Sequence, residues 1–247
     1  MRFYLGYINH LVSLQKKSAR LVRQAGFTIT EVLLASAMMV IVISVAGDAV
    51  INLLRSNYRA NAGTEIQNNL NRTLEFVSDE VRRAKTIADS EAAITSTQVP
   101  TGARAVLAFQ IPDPNNPGQA PLNEQIVYYT QNSQTGDSLT GPRVLWRYGP
   151  NLDDNGNYTT PQDIATWQHS PVTDMLAAAA NNPNCLTGFT RIPTLGNVDD
   201  FYTCVRNGGG QVILNANAEV EMTTVTNENR DKVKYSVSTR VSPRATD

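Results

Sequence analysis

Fifteen consecutive residues without a charge, VLLASAMMVIVISVA at 32–46, constrain this chain more than any other feature. Widening the window to 27–54 admits only Glu31 and Asp48 as charges before Arg55. An α-helix rises 1.5 Å per residue, so about 20 residues cross a bilayer core. The stretch 32–54 reaches that length when Asp48 sits near the outer interface. Ahead of it, residues 1–26 carry Arg2, Lys16, Lys17, Arg20 and Arg23 and no acid. The positive-inside rule then keeps the N-terminus in the cytoplasm and sends the C-terminal bulk across.

The order of parts is not that of a secretory signal. There a small-residue cleavage site follows the apolar region; here Gly26 precedes it. A cut after Gly26 keeps the helix and discards a +5 leader. The remaining 221 residues hold 16 basic residues (21 − 5) against 22 acidic ones, a net charge of −6. That balance offers no basic stripe, and direct nucleic-acid binding is not expected. With 41% apolar and 17% charged residues, the bulk is globular.

Helical periodicity continues beyond the apolar run. Leu70, Leu74, Val77, Val81 and Ala84 recur at steps of four, three, four and three, an apolar stripe on one helical face. No proline interrupts 27–99. One helix is expected over about 27–88, with Gly47 and Gly63 as candidate bends. An isolated amphipathic helix is marginal in water, so its outer half requires a partner. After Pro100 the pattern shortens to β-type runs at 105–111, 125–130, 144–148, 201–206, 212–222 and 232–241. The last two alternate with period two. Turn-rich stretches at 112–121, 149–162 and 207–210 separate such runs. A short helix is expected around 172–180. The fold class is α+β: a long N-terminal helix, its first half in the membrane, packed on a mostly antiparallel sheet. Four segments result: leader 1–26, apolar helix 27–54, amphipathic continuation 55–88 and β-rich domain 89–247.

The run Gly26-Phe27-Thr28-Ile29-Thr30-Glu31-Val32-Leu33-Leu34-Ala35 resembles the N-terminal signature of type IV pilins and type II secretion pseudopilins. That pattern has a basic leader, a Gly, an aromatic or apolar first mature residue, a Glu at mature position five and an unbroken apolar run. The resemblance implies cleavage between Gly26 and Phe27 by a prepilin peptidase and methylation of the new Phe27 amine. It also implies an assembly role for Glu31, other pilin or pseudopilin subunits as partners, and residence in the inner membrane before a pilus or pseudopilus. The stretch 74–84, with Ile126-Val127-Tyr128-Tyr129 and Val144-Leu145-Trp146-Arg147, is similar to PilW-like or J-type minor subunits. Where many pilins have a helix-bending proline near mature position 22, this chain has Gly47-Asp48.

Glu31 follows Phe27 by four residues, on the same helical face. A carboxylate at membrane depth is costly and marks function by default. In the resembled assembly it neutralises the Phe27 amine of a neighbouring subunit; the bland alternative is a carboxylate reaching the interface water. Gly26 lets a peptidase approach the backbone. Ala35, Ser36, Ala37, Ser44 and Ala46 are small enough for close helix approach.

Cys185 and Cys204 have no neighbouring Cys or His at metal-ligand spacing. Outside the cytoplasm a disulfide is the natural reading, worth roughly 3 kcal/mol in the chain-entropy model; inside it, two buried thiols are. Asp153, Asn155 and Asn157 share the 1, 3, 5 spacing of a calcium loop but lack the later Glu and the flanking helices, so no metal is expected. His169 has no nucleophile motif around it. Tyr128, Tyr129, Trp146, Tyr148 and Trp167 read as sheet core or rim, with a sugar- or surface-binding patch as the alternative. No cofactor and no catalytic constellation are expected, so the chain reads as a non-enzyme. The competing function is a permanently anchored extracytoplasmic adhesin or binding module.

Overall fold

The computed structural model describes residues 26–116, 118–133, 139, 141–221 and 232–244. Of the leader expected at 1–26, all but Gly26 lies outside the described residues. The chain divides at Arg55 and Ser56 into two compact units. Helix α1, Ile29–Arg82, contributes to both and runs unbroken through Gly47 and Gly63.

In the first unit every described side chain is exposed. In the second, the helix repeats its apolar residues on one face: Ile66, Leu70, Leu74, Val77 and Val81 are buried. Burial of each such side chain is worth about 2 kcal/mol. The helix is expected to run to about residue 88 but ends at Arg82. The Lys85 amide donates to the Gln110 carbonyl and the Ala88 amide to the Ala108 carbonyl, which draws the chain onto the sheet edge as β1, Thr86–Ile87. The Arg244 amide donates to the Arg82 carbonyl, satisfying one of the orphan acceptors at the helix end.

The sheet is antiparallel. Its remaining strands are β2 (Arg104–Gln110), β3 (Ile126–Asn132), β4 (Arg143–Gly149), β5 (Gln168–Leu176), β6 (Phe189–Ile192), β7 (Phe201–Arg206), β8 (Val212–Glu221) and β9 (Lys232–Val241). The spatial order is β1-β2-β3-β4-β5-β8-β7-β6, with β9 on β8. β5 reaches β8 only at Leu176–Ala218.

Six strands fall on the expected runs. β5 replaces the helix expected at 172–180: it pairs with β4 from Gly149↔Gln168 to Arg143↔Leu176, and that ladder overrides weak local preference. β2 and β3 are buried on both faces. One face meets the helix, and the other packs Ala108 and Val127 against Ala88, Ala93, Ile94 and Val99. β9 keeps its alternation, with Lys234, Ser236, Ser238 and Arg240 exposed.

Candidate functional site

The head of α1 is built by the residues singled out from the sequence. Gly26, Phe27 and Thr28 are non-helical, and the first helical bond runs from the Val32 amide to the Thr28 carbonyl. Thr28 is the N-cap. Its Oγ1 accepts from the Glu31 amide at 3.3 Å, and its own amide donates to Glu31 Oε2 at 3.0 Å. The Thr28 hydroxyl also donates to Glu31 Oε2, at 3.1 Å. This is a capping box, in which residues three apart satisfy each other's backbone donors. The carboxylate expected to serve assembly therefore also starts its own helix. The signal was present as Thr-x-x-Glu ahead of an apolar run.

Phe27 is 84% exposed. Gly26 is exposed too, and a Cβ there would meet nothing within 4 Å. Nothing within the described chain requires a glycine at that position.

Below the cap, Val32, Leu33, Leu34, Met38, Met39 and the aliphatic residues through Leu54 remain exposed. Ser36 and Ser44 turn their hydroxyls onto the Leu33 and Val40 carbonyls, each at 2.8 Å, which leaves the segment still more apolar. Its most apolar 18-residue window has a mean hydropathy of 2.3. Among the described residues α1 is the one helix long and apolar enough to cross a membrane. An exposed apolar surface of this extent is compatible with membrane anchoring and is out of keeping with a bare solvent-facing helix.

The second unit holds the other candidates. Cys185 and Cys204 form a disulfide that ties the segment before β6 to β7. Asp153 closes its own loop: Oδ1 accepts the amides of Asn155 at 2.9 Å and Asn157 at 2.8 Å, and Gly156 supplies a φ of +77°. The Asn157 amide is the main cause holding the Asp153 carboxyl below its ordinary range. Among the described residues no group of three or more His, Cys, Asp or Glu side chains could hold a metal. His169 is exposed on β5, with Nδ1 2.9 Å from the Tyr129 hydroxyl. Tyr129, Tyr148 and Trp167 are buried around it, and rim packing accounts for them. A groove of 1180 Å³ is lined by Asn61, Glu65, Asn68, Arg72, Gln168 and Ser170 among others.

One buried ion pair of the second unit went unread in the sequence. Glu80 lies on the apolar face of α1, between Val77 and Val81, and is 2% exposed. Arg147 of β4 grips it with Nε on Oε2 and Nη2 on Oε1, both at 2.7 Å. The buried Tyr128 hydroxyl donates to the same carboxylate. Burial is the largest single influence and opposes the Arg147 charge, but the charge and hydrogen bonding of Glu80, with Tyr128 and Tyr158 beside it, together hold the guanidinium above its ordinary range. Burial and the Glu80 charge together push the Tyr128 hydroxyl up. The readable signal was an acid three residues after one stripe position and one before the next.

Comparisons with family models, with curated proteins and with solved structures find no match for this chain.

Proposed function

We propose that this chain is the precursor of a type IV pilin-like subunit, a minor pilin or pseudopilin. In this reading a prepilin peptidase cuts between Gly26 and Phe27, and the new Phe27 amine is methylated. The apolar helix then holds the subunit in the inner membrane, with the β-rich domain outside the cytoplasm, until it enters or primes a filament with other subunits.

One observation carries the reading. Gly26-Phe27-Thr28-x-x-Glu31 stands at the exposed head of a helix whose next 23 residues, 32–54, are almost wholly apolar. Among the described residues a Cβ at Gly26 would meet nothing within 4 Å, which leaves its backbone open to an approaching peptidase. Glu31 sits where a cut places a new positive charge four residues away. In a low-dielectric filament core that attraction is strong, though desolvation offsets part of it. The disulfide fits an oxidising compartment.

The assembly role is tested with two substitutions at one position. Glu31→Gln keeps a capping-box side chain but removes the charge; Glu31→Ala removes both. Both variants should be cleaved normally and should be depleted from sheared filaments. If Glu31→Gln enters filaments like the parent while Glu31→Ala does not, the carboxylate acts as a cap alone and the charge-pairing role is wrong. The second reading, an anchored binding module, draws on the polar groove between α1 and β5. It expects an anchored protein that never copurifies with filaments.

A further inference from the structure

Asparagine is followed by glycine twice in this chain, at Asn155-Gly156 and at Asn207-Gly208. Such a pair can close a succinimide ring: the glycine nitrogen attacks the asparagine side-chain carbon, and ammonia leaves. Glycine has no Cβ to hinder the approach. Asn155 and Asn207 are both exposed, and both glycines lie at positive φ, +77° and +87°. The two pairs differ in what holds the glycine amide. The Gly156 amide donates to the Asp153 main-chain carbonyl at 2.9 Å, a neutral acceptor. The Gly208 amide donates to a carboxylate, Asp89 Oδ2, also at 2.9 Å.

Asp89 is therefore within hydrogen-bond reach of the proton that the nitrogen must lose, the first requirement of a general base. A second group stands at the other reacting atom. The Thr190 hydroxyl donates to Asn207 Oδ1 at 3.1 Å. Attack on the side-chain carbon puts negative charge on that oxygen, and a donor already aimed there stabilises it. The turn is seated by its neighbour: Gly209 is buried, and a Cβ there would meet the Ile87 carbonyl oxygen at 2.6 Å. Ile87 ends β1, the strand that leads to Asp89.

We propose that Asn207-Gly208 is a self-modifying site, at which Asp89 and Thr190 promote conversion of Asn207 to an aspartyl or isoaspartyl residue. Asp89 takes the Gly208 amide proton as the nitrogen bonds to Asn207 Cγ. The bond from Cγ to Nδ2 then breaks, and the leaving nitrogen takes that proton and departs as ammonia. Water opens the succinimide at either carbonyl. The reaction consumes one water, releases one ammonia and needs no other reactant. Its product carries a new negative charge, and the isoaspartyl form adds a methylene to the main chain of a turn closely seated on Ile87.

The test follows the full chain in detergent micelles at neutral pH, with peptic digestion at acidic pH and peptide mass as the readout of amide-to-acid conversion. Asn207 should convert at least about tenfold faster than Asn155. Equal rates, or a faster Asn155, overturn the proposal. In urea the two rates should converge; a difference that persists there belongs to the local sequence and overturns it too. Asp89→Asn keeps an acceptor for the Gly208 amide but no base. It should slow Asn207 at least about tenfold and leave Asn155 unchanged. If Asp89 only pins the turn, the same substitution loosens it and speeds conversion; that result, or an unchanged rate, overturns the proposal. If Asp89→Asn does not melt like the parent, Thr190→Val decides: slower conversion of Asn207 supports the site, and an unchanged rate overturns it. No step involves leader cleavage or filaments, so this site and the pilin-like reading fail separately.

Discussion

The two halves of α1 share one helix and obey opposite rules. Leu33 is 64% exposed and Leu70 0%. From 32 to 54 apolar residues surround the helix on every side; from 66 to 81 they keep to one stripe. Among the described residues nothing covers the first half, whereas the second half finds its partner in the sheet of the same unit. Where burial is supplied from within, polar residues can be placed with precision, as Glu80 is. In the exposed first half polar groups are few, and Ser36 and Ser44 turn their hydroxyls onto the helix's own carbonyls.

The largest test of this contrast is Glu80→Ala. It leaves Arg147 buried without its counter-charge and should cost about 3–5 kcal/mol of domain stability, read in a denaturant melt in micelles. A cost under about 1 kcal/mol would mean that water reaches the guanidinium. Next comes a matched pair. Leu70→Ala should cost about 3 kcal/mol, whereas Leu33→Ala should leave the domain melt unchanged. Equal effects would abolish the distinction between the halves.

The same contrast governs which elements are legible in the sequence. The stripe from Leu70 to Val81 and the alternation of β9 were legible because periodicity records which face is buried. β5 was not, because it contains His169, Pro171 and Asp174 and owes its conformation to pairing with β4. β1 is two residues long and continues a helix-like pattern; only the β2 edge turns it. Glu80 was hidden because its partners, Arg147 and Tyr128, are distant in sequence. The Thr28–Glu31 cap was local and could have been found from its spacing. The smallest effect also compares the halves. Gly63→Ala should stabilise the domain by about 0.5–1 kcal/mol, since the site is helical and an added methyl meets Val233 at 3.8 Å. Gly47→Ala, with open space around it, should leave the domain melt unmoved.

What happens ahead of the first half, at Gly26 and Phe27, decides between a pilin-like subunit and a permanent anchor. The decisive measurement is the intact mass and N-terminal sequence of the protein extracted from membranes of cells that carry a prepilin peptidase. The predicted result is a 221-residue chain (247 − 26) beginning at methylated Phe27, with the apolar helix retained and Gly26→Val left uncut. A protein still beginning at Met1, or one cut after the apolar run, would contradict it.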